Sequence, residues 1–219
     1  MIQQNRGEPQ MLTTLIPVFP LPDVVLFPGV FLPLHIFETR YREMVKDCLA
    51  GDRLIGVTLL RPGWDHDANG QPAIYPVGCV GLISHIEELP DGRYNLVLRG
   101  VEKFRVVKEE EPLRAYRRAS VDYFEEQMTM ADHEAVRRQR HRLERLLTTV
   151  SDAPDHPFPS NLSDEEVINA LAQYLDLEPI ERQALLEQDG VAKRCDALIE
   201  LLEMKAMSHG QTVDRGLVH

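Results

Sequence analysis

Pro17, Pro20, Pro22, Pro28 and Pro33 interrupt the most apolar stretch of the chain, Leu15 to Phe37. Proline carries no backbone donor and breaks a helix interior, whereas a helix in lipid must satisfy every backbone group within itself. The stretch, which also contains Asp23 and His35, therefore reads as short extended pieces joined by turns. The leader MIQQNRGEPQ carries Glu8 beside Arg6, and no small-residue cleavage site follows the apolar run, so no export signal is read there. Cys48, Cys79 and Cys195 are odd in number and far apart. They suit a reducing compartment better than a disulfide framework. The expected location is the cytoplasm, without a membrane partner.

The pieces can be followed along the chain. Residues 1–12 are a polar leader. TLIPVF (14–19), VVLF (24–27) and VFLPLHI (30–36) are strand-like, with a Pro28-Gly29 turn between the last two. Pro33 inside a strand marks an edge or a bulge. From Glu38 the rhythm changes: Tyr41, Met44, Val45, Cys48 and Leu49 form one helical stripe, and Gly51 sits where a C-terminal cap belongs. RLIGVTLL (53–60) is a buried strand, followed by a polar loop (61–73) with the only tryptophan, Trp64. IYPVGCVGLISHIEEL (74–89) turns at Pro90-Asp91-Gly92 into RYNLVLRGVEKFRVVKE (93–109), with a bend at Gly100, and RAYRRASVDYF (114–124) closes the series. Six or seven short strands around one helix, without a βαβ rhythm, imply a mainly antiparallel barrel or folded sheet.

Beyond residue 128 the period is helical. Val136, Leu143, Leu146, Leu147 and Val150 share a side of residues 131–150, and residues 151–161 form a proline-rich break. Ser163 with Glu166 is a capping box, and Pro179 suits a helix first turn. Leu198, Leu201, Leu202 and Met204 mark a last helix. The organisation expected is a leader (1–12), a β-rich domain (13–128), a small helical bundle (129–207) and a tail (208–219).

Chemistry is more conspicuous for what is missing. The chain contains no Gly-Lys dipeptide, no GxSxG and no HExxH, which excludes a Walker-type phosphate loop and the commonest serine-hydrolase and zinc-protease motifs. Asp65, His66 and Asp67 are adjacent and His133 and His141 are out of line on one helix, so no metal or other cofactor is expected. His35, His85 and Asp122 are polar groups for which nothing in the sequence implies convergence. The net charge of −11 opposes general binding to nucleic acid. Arg137, Arg138, Arg140, Arg142 and Arg145, with Arg114, Arg117 and Arg118, accordingly read as solvated faces ion-paired to residues such as Asp132, Glu134 and Glu144, rather than as a phosphate-binding surface.

IPVFPLPDVVLFPGVFLPLHIFETRYREMV and YPVGCVGLISHIEELPDGRYNLVLRGVEKFRV, in that order, resemble the N-terminal substrate-binding domain of Lon proteases, and the helices from Ser163 to Met204 are similar to the bundle that follows in that family. The motif residues are Phe27, Pro28, Gly29, Phe37, Tyr41, Gly78, Gly81, Gly100 and Phe104. The resemblance implies an α+β fold, a PUA-like, mainly antiparallel pseudo-barrel followed by a helical bundle. It also implies binding of polypeptide in protein quality control, either unfolded or hydrophobic client segments or a protein partner such as a separate ATP-dependent protease. The chain ends after the bundle and offers no serine or lysine for a peptidase role, so a stand-alone, non-enzymatic protein without catalytic residues is expected. Phe31, Pro33, Trp64 and Tyr75 are the candidate peptide-binding residues. RNA binding through the PUA-like barrel is the alternative.

Overall fold

A computed structural model of the chain describes residues 12–66, 71–111, 113–124, 126, 128–150 and 162–215. The expected leader up to residue 11, the proline-rich break (151–161), Asp67 and the end of the tail (216–219) lie outside the described residues.

Among the described residues, six strands form one mixed sheet: β1 (Leu15–Leu21), β2 (Phe31–Ile36), β3 (Leu54–Leu59), β4 (Val77–Glu88), β5 (Tyr94–Glu109) and β6 (Arg117–Tyr123), in spatial order β2-β5-β4-β3-β1-β6. β6 also pairs with the C-terminal half of β5, from Phe104 to Glu109, which closes five strands into a barrel. β2 pairs with the N-terminal half of β5 and stays at the edge. All pairings are antiparallel except β1 with β3. The bend expected at Gly100 is a register shift: Gly81 faces Gly100 while Val80 faces Glu102, so Val101 is the extra residue.

VVLF (24–27) does not form the strand expected of it. The Phe27 N–H donates to Gln173 Oε1 (3.0 Å) and its carbonyl accepts from Val30 N (3.2 Å), so its backbone groups are taken by a helix amide and a turn rather than a ladder. Gly29 makes that turn with φ +76°, and a Cβ on Gly100 would fall 2.0 Å from the Phe27 carbonyl oxygen. Only glycine permits strand and turn to approach so closely.

Helix α1 (Thr39–Ala50) buries Tyr41, Met44, Val45 and Cys48 against the sheet. Gly51 caps it through an N–H to the Cys48 carbonyl, with Arg53 taking the left-handed conformation. Ile16, Val18, Val80, Phe104, Ala119 and Val121 pack together between the strands. The Phe104 ring rests on Gly56 and Gly78, where a Cβ would stand 3.0 and 2.7 Å from its Cζ.

Four helices follow among the described residues: α2 (Met130–Val150), α3 (Asp164–Tyr174), α4 (Pro179–Leu186) and α5 (Val191–Arg215). Ser163 and Glu166 form the capping box, and Pro179 opens α4. Helix α5 runs past Ser208 to Arg215. Val136, Leu143, Ile168, Leu186 and Leu198 share a core cluster with Val25, Phe27, Leu59 and Val77, so the helices and the β-rich part are packed on one another.

Polar contacts fix that packing. Gln173 spans the Phe27 N–H and the Phe31 carbonyl, and Asn169 Nδ2 donates to the Pro28 carbonyl (3.0 Å). Arg194 of α5 is fully buried. It donates to both Glu126 oxygens (3.0 and 2.9 Å), to Asn169 Oδ1 (2.7 Å) and to the Leu185 carbonyl (3.1 Å). Lys103 of β5, also buried, pairs with Glu126 and donates to the Gln188 carbonyl; burial pulls its pKa down. Among the described residues, no helix is long and apolar enough to cross a membrane.

Candidate functional site: a groove at the barrel mouth

A groove of about 1060 Å³ opens where β1 and β2 end, α1 begins and β5 hands over to β6. Its floor is aromatic and buried: Phe19 and Tyr41 meet with ring centroids 4.4 Å apart, and Tyr116 lies beside them. Burial pushes the Tyr41 hydroxyl above its ordinary pKa. It does the same to Tyr116, whose hydroxyl donates to Asp47 Oδ2 (2.7 Å). Both remain neutral apolar surfaces at physiological pH. The rim is apolar and exposed: Phe37 is 63% and Trp64 43% accessible, with the exposed Pro22 and the half-buried Leu34 between and Pro20 buried beneath. Large exposed rings over a buried apolar floor form a surface that no element covers among the described residues.

Backbone geometry decides how such a site can grip. Leu60 donates its N–H to the Leu21 carbonyl, so Leu21 and Phe19 turn toward β3, and by alternation Pro20 turns the other way. On that side β6 has already stopped, since its last partner on β1 is Val18. β2 behaves alike. Gly100 donates to the Val30 carbonyl, which directs Leu32 and Leu34 toward β5 and Phe31, Pro33 and His35 outward. Each open edge thus presents a proline without a donor, and the outward Phe31 carbonyl is already taken by Gln173 and Tyr174 (2.6 Å). Both edges are blunted against a further strand.

The charged wall of the groove comes from Glu38 and Arg40 at the start of α1 and from Glu109, Glu110, Glu111, Arg114 and Arg117 between β5 and β6. Arg40 pairs with Glu38 (2.9 Å), Arg117 with Glu109 (2.5 Å) and Arg114 with Asp47 (3.3 Å). His35 bonds Asn95 Oδ1 through Nδ1 (2.7 Å), and its ring lies 6.2 Å from that of Phe37.

Of the four residues expected to hold peptide, Trp64 alone lines this groove. Phe31 is half exposed but lies at the far end of β2, beside Tyr174. Pro33 sits on the open edge opposite Val97. Tyr75 is partly buried against the inter-element core, with the Arg61 guanidinium 5.4 Å from its ring. Phe37, grouped with the framework on sequence grounds, is instead a rim residue. The signal for it was the alternation of β2, whose odd-numbered positions Phe31, Pro33 and His35 are all exposed. The other motif residues Phe27, Tyr41 and Phe104 are buried framework.

The groove takes in His35 but neither His85 nor Asp122. Among the described residues, no three His, Cys, Asp or Glu side chains are placed to hold a metal ion. In the basic runs Arg140 engages Glu144 and Asp164, and Arg142 engages Glu203. Asp132 accepts from Thr129 rather than from an arginine.

A family model described as the ATP-dependent protease La (LON) substrate-binding domain matches residues 15–204. Lon protease 2 of Myxococcus xanthus is 29% identical over 200 residues, covering 87% of this chain and 24% of that protease. The Lon protease of Trichlorobacter lovleyi is 28% identical over 196 residues, covering 86% and 24%. The chain thus spans about a quarter of the length of these relatives. Among solved structures, the Lon N-terminal domain protein from Xanthomonas campestris is similar with a TM-score of 0.58 at 26% identity, covering 86% of this chain and 98% of that one. The N-terminal domain of the Mycobacterium avium complex Lon protease has a TM-score of 0.65 at 17% identity over the same shares, a likeness of fold.

Proposed function

Because the chain belongs to the Lon substrate-binding domain family, matched over residues 15–204, we propose that it binds polypeptide by capturing apolar side chains in the groove at the barrel mouth. The observation that carries this reading is the exposure of Phe37 and Trp64 above the buried Phe19, Tyr41 and Tyr116 floor. Exposed segments of unfolded clients, or of a protein partner such as a separate ATP-dependent protease, supply side chains of that kind. The role is one of binding, without a catalytic step. Proline on both open edges disfavours backbone pairing, so recognition rests on side chains rather than on strand addition.

Trp64 is the only tryptophan, which makes its emission a direct report on the rim. A tryptophan-free peptide with two or three large apolar residues is expected to blue-shift that emission saturably at tens of micromolar, and Phe37→Ala to weaken the binding about fivefold or more. A folded protein whose emission and light-scattering behaviour ignore both such peptides and an unfolded model protein would refute the reading.

A further inference from the structure

The charged wall of the groove does not balance. Its three arginines each have a carboxylate: Arg40 has Glu38, Arg117 has Glu109, and Arg114 has Asp47 from outside the groove. Two lining carboxylates have no such partner among the described residues. Glu110 Oε1 accepts only a hydroxyl, from Ser120 (3.1 Å), and the exposed Glu111 is in no ion pair shown by the structure. They stand on the same groove as the Phe37 and Trp64 rings. The surrounding field has the same sign, since the whole chain carries −11.

Resting on the groove reading above, we propose that the preferred occupant is an apolar polypeptide segment flanked by lysine or arginine. The apolar side chain fills the space between the rings and the aromatic floor, and the cation meets Glu110 and Glu111. An acidic flank at the same place meets like charge. Side-chain capture favours this class further, because lysine and arginine lay an apolar stem along a ring while the charged head reaches outward. The attraction is partly exposed and therefore moderate, and it falls with ionic strength.

The test uses three tryptophan-free peptides with one apolar core, flanked by lysine, serine or glutamate, titrated against the Trp64 emission of the full chain at low and high salt. The lysine peptide is expected to bind about three- to tenfold more tightly than the serine peptide at low salt, and the glutamate peptide more weakly than either. High salt narrows the spread. In E110Q/E111Q, with an unchanged melting temperature as the folding control, the ratio of lysine-peptide to serine-peptide affinity falls toward one. Equal affinities for the lysine and serine peptides, or a lysine advantage that survives in E110Q/E111Q, overturns this inference and leaves the groove reading standing. Failure of all three peptides to bind overturns both.

Discussion

Arg194→Met removes the centre of the polar network between the barrel and the helices. The guanidinium is fully buried and makes four hydrogen bonds, two of them to the Glu126 carboxylate. Methionine keeps the apolar stem as far as the position of Nε and leaves out the rest of the guanidinium, so the loss is chiefly that of the bonds. The Asn169 and Leu185 oxygens lose donors at about 1 kcal/mol each, and the charge-assisted pair to Glu126 adds about 2 kcal/mol. The sum, about 4 kcal/mol, agrees with the 3–5 kcal/mol typical of breaking a buried ion pair from one side. In urea, with a slope of about 2 kcal/mol/M, the midpoint should fall by about 2 M. The triple variant Lys103→Met, Glu126→Gln, Arg194→Met leaves no buried charge unpaired and should lose less than Arg194→Met alone. A single variant that loses under about 1 kcal/mol, or a triple variant worse than the single, would show that the network does not hold the two parts together as described.

Three further outcomes are expected. Gly100→Ala, which sets a Cβ 2.0 Å from the Phe27 backbone carbonyl oxygen, should cost about 3 kcal/mol, whereas Gly81→Ala approaches Leu26 Cδ2 and Leu98 Cβ no closer than 3.0 Å and should cost clearly less; thermal melts compare them. Cys48, Cys79 and Cys195 are buried with pKa values pushed up to about 12, so a thiol reagent at pH 8 should label none of them until urea unfolds the chain. Their folded pKa lies above the ordinary 9.0, so the folded state keeps protons that the unfolded state sheds; stability is full below pH 9 and should fall as pH rises from 9 toward 12. Ser163→Ala should cost about 1 kcal/mol at pH 7. Ser163 holds the Glu166 pKa below the ordinary 4.5 first through its backbone N–H and then through its hydroxyl; only the hydroxyl's share goes in Ser163→Ala, so the gap to wild type should narrow, without closing, in urea melts as pH falls through that range.

The parts of this fold that local patterning controls were legible: the α1 stripe, the Ser163 capping box, the turn at Gly92 and the bend at Gly100. VVLF was misread because its apolar, β-branched character is that of a strand, while its backbone partners are supplied by Gln173, some 146 residues away. No local pattern announces such a partner. The candidate site was half legible. A lone tryptophan in a polar loop is an evident anomaly, and Trp64 does line the groove. Phe31 and Tyr75 look equivalent to it in sequence. Which aromatic faces outward depends on strand alternation and on where β2 runs out, and the groove exists only because β1, α1 and the connection between β5 and β6 converge there. Glu110 and Glu111 lie in a charged run like many others until Arg117, Arg114 and Arg40 are seen to be occupied elsewhere.

The barrel is closed by its first and last strands. Leu15 faces Ser120 and Val18 faces Arg117, and the Tyr123 hydroxyl bonds the Thr13 carbonyl (2.8 Å). On a ribosome adding about 5–20 residues per second, β1 would leave the exit tunnel roughly 5–20 s before its partner did. Through that interval Ile16, Val18 and Phe19 would stand uncovered along a strand with one side vacant. Pro20 is then already at work, denying that young edge a donor that a neighbouring nascent chain would need. The same proline that leaves this edge of the finished protein without a donor protects it before the sixth strand exists.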